Sequence, residues 1–143
     1  MDVQQLIDLV RLERAGVVAT LAADGAPQAA YLSIAATDRG ELVFDAKPDS
    51  RKVANLRRDP RIAVVVGGDR GVTLQCEGVA DLPTGAELER CTAAYLAAFP
   101  EFASSFDAGA VVVLRVLLDW ARSGDFRGEH PLIEDVELGA PPA

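Results

Sequence analysis

The sequence predicts a mainly β fold with helices, a small closed or half-closed antiparallel barrel of six strands. Three observations predict it. Six short runs rich in β-branched residues punctuate the 143 residues, and strong turn signals separate several of them. Only two or three helical segments occur, and they do not alternate with the strands as a parallel doubly wound sheet requires. The chain is 50% hydrophobic, so residues 1 to 143 are long enough to bury one core as a single domain, and closing a sheet on itself removes its open edges.

The elements follow in order. Val3, Leu6, Ile7 and Val10 recur at three- and four-residue steps, which predicts an amphipathic first helix that Gly16 can end in the left-handed conformation. Residues 17 to 22 (VVATLA) form the first strand, Asp24-Gly25 a hairpin turn, and residues 28 to 36 (QAAYLSIAA) the second strand. A turn at Asp38 to Gly40 leads into residues 41 to 46 (ELVFDA), so the first three strands are expected to form an antiparallel meander. Asp49 or Ser50 caps a short helix over 50 to 58 with a seam of Val53 and Leu56, and Pro60 ends it. Residues 61 to 66 (RIAVVV) and 72 to 82 (VTLQCEGVADL) are the next strands, with Gly78 marking a bulge. Thr84 and Glu87 have capping-box spacing for a helix over 85 to 98, which Pro100 stops. Residues 110 to 120 (AVVVLRVLLDW) form the sixth strand, and the tail from His130 reads as loosely ordered.

Charge narrows the function. Lys+Arg total 14 against 22 Asp+Glu, a formal net charge of -8, which disfavours general binding to nucleic acid or anionic membranes. The longest apolar run is too short to span a bilayer, and the first ten residues lack a basic segment and a cleavage site, so a cytoplasmic protein is expected. Cys76, Cys91 and the lone His130 have no metal-binding spacing. Cys76 is expected in the core and His130 in solvent. No Ser-His-Asp set or paired-carboxylate site can be assembled, so no catalytic residue is nominated and any chemistry must come from a cofactor.

Against that acidic balance, Lys47, Arg51, Lys52, Arg57, Arg58 and Arg61 fall within residues 47 to 61. Arg57, Arg58 and Arg61 suit the C-terminal end of a helix dipole. Arg51 and Lys52 oppose the dipole at its N-terminal end unless an anion docks there, where the free N–H groups, the Ser50 hydroxyl and two cations converge on one charge. A phosphate is the anion this arrangement suits; a solvated basic face is the alternative. The segment contains no aromatic residue to stack on bases, which ranks nucleic acid last.

These residues also carry a resemblance. Thr20, Leu21, Asp24, Gly25 and Pro27; Leu42 and Phe44; the segment Ser50 to Arg61 (SRKVANLRRDPR); and Glu77, Gly78 and Ala80 together resemble the pyridoxamine 5'-phosphate oxidase-like proteins, over residues 15 to 82. The resemblance implies an FMN-binding split barrel, usually a homodimer with cofactor sites at the subunit interface. By the same resemblance Ser50, Arg51 and Lys52 hold the flavin phosphate. Backbone of Tyr31, Leu32, Ser33 and Ile34 lies against the ring, Phe44, Asp45 and Ala46 border it, and Thr73 is the polar residue of the fifth strand. Tyr31 fits a half-buried strand position equally well. Core packing is the simpler account of Trp120; stacking on the flavin across a dimer interface is the other, and on that ground it joins the cofactor set. Ala30 and Ala35 stand where the oxidase proper has basic residues, and residues 120 to 130 (WARSGDFRGEH) lack its Arg-Leu-His pattern. The implied function is an FMN-dependent oxidoreductase acting on a small organic molecule other than pyridoxamine phosphate. A deazaflavin-dependent reductase and a non-enzymatic flavin or haem module are the alternatives.

Overall fold

In a computed structural model, which describes residues 1–139, the chain runs α1 (Val3–Glu13), β1 (Ala15–Leu21), β2 (Pro27–Ser33), β3 (Ala35–Ala36), β4 (Leu42–Ala46), α2 (Arg51–Arg58), β5 (Arg61–Gly67), β6 (Val72–Asp81), α3 (Gly85–Ala98), a 3-10 turn (Pro100–Phe102), α4 (Ala103–Asp107), β7 (Val112–Asp125) and β8 (Leu132–Asp135). All pairings between these strands are antiparallel, in the order β2-β1-β5-β6-β7-β4-β3, with β8 beside β7. β2 and β3 are the two ends of that path, yet Ile34 alone separates them in the chain. The sheet must therefore curl until its ends approach, which makes it a half-barrel of the split-barrel type.

Several expectations change. The second run is two strands, because barrel closure sends the chain from one sheet end to the other at Ile34, whose amide donates to the Arg14 carbonyl at 2.9 Å. The meander is thus two separate hairpins, β1-β2 and β3-β4. Arg14 takes the left-handed cap of α1 at φ 71°; Gly16 lies in β1, where a Cβ would stand 2.0 Å from the Val65 carbonyl oxygen. The tail pairs as β8 and Val136 is buried, so the loose ordering expected from His130 does not hold over Leu132–Asp135. Its last residues, 140 to 143, lie outside the described residues. The capping box is absent: Thr84 makes no capping bond through its side chain, and the Glu87 carboxylate turns to Arg90 and Arg115 instead of back to the cap. The expected bulge is present as a register shift between Glu77 and Gly78.

Two cores organise the molecule. Inside the curl, Leu6, Ile7 and Val10 of α1 and Val53 and Leu56 of α2 pack on Val18, Phe44, Val64, Leu74 and Leu114. Outside it, α3 covers β3, β4 and the start of β7 through Cys91, Tyr95 and Phe99, which Phe102 and Phe106 extend. Phe102 stacks on Tyr95 at a centroid distance of 6.1 Å, and Phe106 packs tilted against it at 5.8 Å. The remaining outer face, from β2 to β6, has no helix on it. It carries exposed Val17, Tyr31, Val65 and Val79, with Leu117 of β7 beside them.

A polar network pins α3 to the sheet. Glu41 is buried between Arg90 (2.7 Å) and Arg115 (3.4 Å) and accepts from the Thr37 hydroxyl at 2.7 Å; Arg115 also reaches Asp81 at 2.7 Å. Burial raises the Glu41 pKa, but the hydrogen bonds and charges of these partners outweigh it and leave the carboxyl below its ordinary range. No helix among the described residues is long and apolar enough to cross a membrane.

Candidate functional site

The start of α2 is built by a turn in which the Ser50 amide donates to the Lys47 carbonyl at 3.0 Å. Ser50 occupies the N-cap with extended backbone, φ -70° and ψ 156°, but its hydroxyl does not cap the helix. That Oγ is buried and has no hydrogen-bond partner. Buried hydroxyls are almost always partnered, so this atom is a candidate ligand contact. Beside it, Arg51 and Lys52 line a cleft of about 150 Å³ with Val18, Thr20, Gln28, Ala29 and Ala30.

The basic segment divides as its positions suggest. Arg58 donates to the Leu21 carbonyl at 2.8 Å and to the Asn55 side chain at 2.9 Å, and Arg61 pairs with Asp59 at 2.6 Å. Arg61 holds the half-buried Asp59 carboxyl at about 2. Among the described residues, Lys47, Arg51, Lys52 and Arg57 make no ion pair. Asn55 fixes the helix over the cleft: buried itself, its amide donates to Thr20 Oγ1 and Gln28 Oε1, both at 2.9 Å. Sequence reading assigned Asn55 no part of its own; its place three residues after Lys52, on the buried side of the helix, was the available signal.

The other candidate residues spread along the sheet. Tyr31 is 71% exposed on the outer face, Leu32 packs toward the inner core and Ile34 is buried. Phe44 and Ala46 point into the core, while Asp45 accepts from the Tyr95 hydroxyl at 3.1 Å. Thr73 and Trp120 are half-buried and lie opposite Gly124 and Glu77 in the ladder. Trp120 is therefore not a core residue. Opposite the outward Glu77, it lies under the Arg122 guanidinium at 5.3 Å, four strands from β2. Within one chain neither residue lines the Arg51 cleft. Cys76 is buried and burial pushes its thiol up to about 12, which leaves it inert as a nucleophile at neutral pH. His130 is exposed.

The family profile described as Pyridoxamine 5'-phosphate oxidase matches residues 3–123. The chain belongs to this family. The match runs past both ends of the motif-bearing region, through α1 and most of β7. A heme binding protein from Mycobacterium smegmatis superposes with a TM-score of 0.77 at 20% identity, covering 93% of this chain and 57% of that one. A conserved hypothetical protein from Mycobacterium tuberculosis gives 0.71 at 29% identity, covering 87% and 84%. The General Stress Protein 26 from Bacillus anthracis gives 0.66 at 16%, covering 93% and 97%. The chain spans little more than half the length of the first, and at the lower two identities the likeness shows the fold alone. A search of the curated proteins finds no match. Relative to the pyridoxamine 5'-phosphate oxidase proper, this family member has Ala30 at the Arg51 cleft and Ala35 buried under α3, so neither place offers a cation.

Proposed function

We propose that the protein binds FMN with its phosphate at the start of α2 and is an oxidoreductase acting on a small organic molecule. The orphaned Ser50 hydroxyl carries the reading. Left alone it costs about 1–3 kcal/mol, and a phosphate oxygen is the partner it lacks. Arg51 and Lys52 add charge where the helix already presents free N–H groups, and Asn55 holds that end in place through β1 and β2. Bound there, FMN would supply the hydride chemistry, and no acid, base or nucleophile of the chain is nominated for it. The backbone of Tyr31, Leu32, Ser33 and Ile34 and the end of β4 at Phe44, Asp45 and Ala46 are assigned to the ring by family resemblance; Tyr95 orients Asp45 there. With alanine at 30 and 35, pyridoxamine phosphate is not the favoured substrate. Deazaflavin in place of FMN meets the same anchor, and the chromophore released from purified protein separates the two.

Ser50→Ala tests this with effects of opposite sign. It removes an unpaired buried hydroxyl, so the flavin-free protein gains about 1 kcal/mol in urea unfolding, while FMN affinity falls roughly tenfold by fluorescence titration. A flavin-free protein that loses stability, or an unchanged affinity, contradicts the reading.

The exposed band of Val17, Tyr31, Val65, Val79 and Leu117 supports a homodimer joined through the outer sheet face. In that arrangement Thr73 and Trp120 reach the cofactor of the second copy, which accounts for their distance from α2. Val65→Asp puts a charge at the centre of the band. Sedimentation velocity should show the dimer of the parent protein give way to monomer, with FMN occupancy falling alongside. A parent protein that sediments as a monomer refutes the arrangement.

A further inference from the structure

We propose that the cavity between α1, β3 and α3 binds a small organic oxyanion, a carboxylate or phosphate ester on a compact apolar body. Its volume is about 720 Å³, within the usual range for small-molecule sites of roughly 300–1,000 Å³. Arg11, Arg14, Arg39 and Arg90 all line it, and Asp38 is the one carboxylate among its lining residues. A chain of net charge -8 repels anions at long range, so an anion site in it needs such a local excess of cations.

The four arginines differ in what they have left to give. Arg90 is occupied by Glu41 and Glu87. Arg14 lies 4.9 Å over the Phe99 ring and donates to the Ala98 carbonyl at 3.1 Å. Arg11 uses only Nη2, toward Asp38 at 2.8 Å and the Ala36 carbonyl at 3.3 Å, and Arg39 uses only Nη1, toward Glu87 at 3.3 Å. Both side chains are about half exposed, at 45% and 63%. Each guanidinium has five N–H donors in a fork that fits a carboxylate or phosphate in bidentate fashion. Those surface pairs stabilise the fold by about 1 kcal/mol or less, so stability alone gives little reason to place Arg11 and Arg39 here.

The rest of the wall is apolar. Ala94 and the other alanines of α3 give it its accessible apolar surface, while Ile34 and the two alanines of β3 close the floor at 2% exposure or less. The hydroxyl of the buried Thr37 is already engaged by Glu41, so no neutral polar group is free to specify the ligand. The groups sit in the cavity independently of what the Arg51 cleft holds. Ile34 is also the last residue assigned to the flavin ring, which would make the ligand the substrate; that clause alone rests on the flavin reading.

The test uses flavin-free ¹⁵N-labelled protein titrated with benzoate, phenyl phosphate and the neutral isostere benzamide. Both anions should shift the amides of Ala36, Ala94 and Ala97 saturably, and benzamide should bind at least tenfold more weakly. Arg11→Gln with Arg39→Gln should weaken both anions at least tenfold, with FMN affinity unchanged. Ala94→Leu, which fills the cavity without altering charge, should weaken them as well. Equal binding of benzamide, no saturable shift with either anion, shifts confined to Ser50, Arg51 and Lys52, or unchanged affinity in the arginine variant would each overturn the assignment. Because no flavin is present, failure here leaves the Ser50 reading untouched, and failure of that reading leaves this one standing.

Discussion

Replacing Arg51 and Lys52 together by alanine should weaken FMN binding at least tenfold, about 1.4 kcal/mol or more, and leave the fold intact. The two side chains line the cleft and are free of intramolecular ion pairs among the described residues, so their removal breaks no ion pair. Stability should even rise slightly, because cations in the first turn oppose the helix dipole when no anion is bound. The far-UV spectrum and urea midpoint serve as controls. Arg57→Ala, at the other end of the same helix, removes one charge of the same sign away from the cleft and should change FMN affinity little. A general electrostatic attraction would instead respond to Arg57 as it does to Arg51.

Glu41→Ala should be the most damaging of the single substitutions to stability. It removes the buried carboxylate that Arg90 and Arg115 share, leaving them only the more exposed Glu87 and, for Arg115, Asp81, and breaking a buried pair of this kind costs about 3 kcal/mol. The value lies at the lower end of such effects because the Arg90 side chain is still 27% exposed. For a chain of this length that is a drop of about 10 °C in Tm by calorimetry. The loss depends on pH. The folded Glu41 carboxyl titrates below its unfolded value, so its contribution is complete above the ordinary value of roughly 4.3 and disappears as pH falls through the folded value. The gap between parent and variant should therefore be widest near pH 7 and narrow in acid. A constant difference across that range would show that the carboxylate charge is not what matters.

The parts of this molecule legible in its sequence are those set by local signals. Val3, Leu6, Ile7 and Val10 carry a helical period; Asp24-Gly25 makes a tight hairpin; Pro60 and Pro100 end helices. Two of the breaks in expectation come from long-range geometry. Nothing in QAAYLSIAA marks Ile34 as the point where one sheet end becomes the other, since closure depends on the whole curl of the sheet. Thr84 and Glu87 have the right spacing for a cap, yet Arg90 and Arg115 compete more strongly for the carboxylate than a backbone N–H does.

The sites show the same division. Ser50, Arg51 and Lys52 are contiguous, so their convergence at a helix start could be argued from the sequence. What the sequence could not show is that the Ser50 hydroxyl is buried without a partner, or that Asn55 reaches Thr20 and Gln28 across the cleft. Arg11, Arg14, Arg39 and Arg90 were invisible as a group, because α1, the β3-β4 turn and α3 meet only in the folded chain. The three-residue step from Arg11 to Arg14 was their sole local signal.

The central claim concerns a phosphate, and riboflavin is FMN without one. Titrating the flavin-free protein with each by fluorescence quenching isolates that group: FMN should bind at least tenfold more tightly than riboflavin, and the advantage should vanish in the Arg51→Ala, Lys52→Ala variant. Equal affinity for the two flavins, or an FMN preference that survives the double substitution, would contradict it.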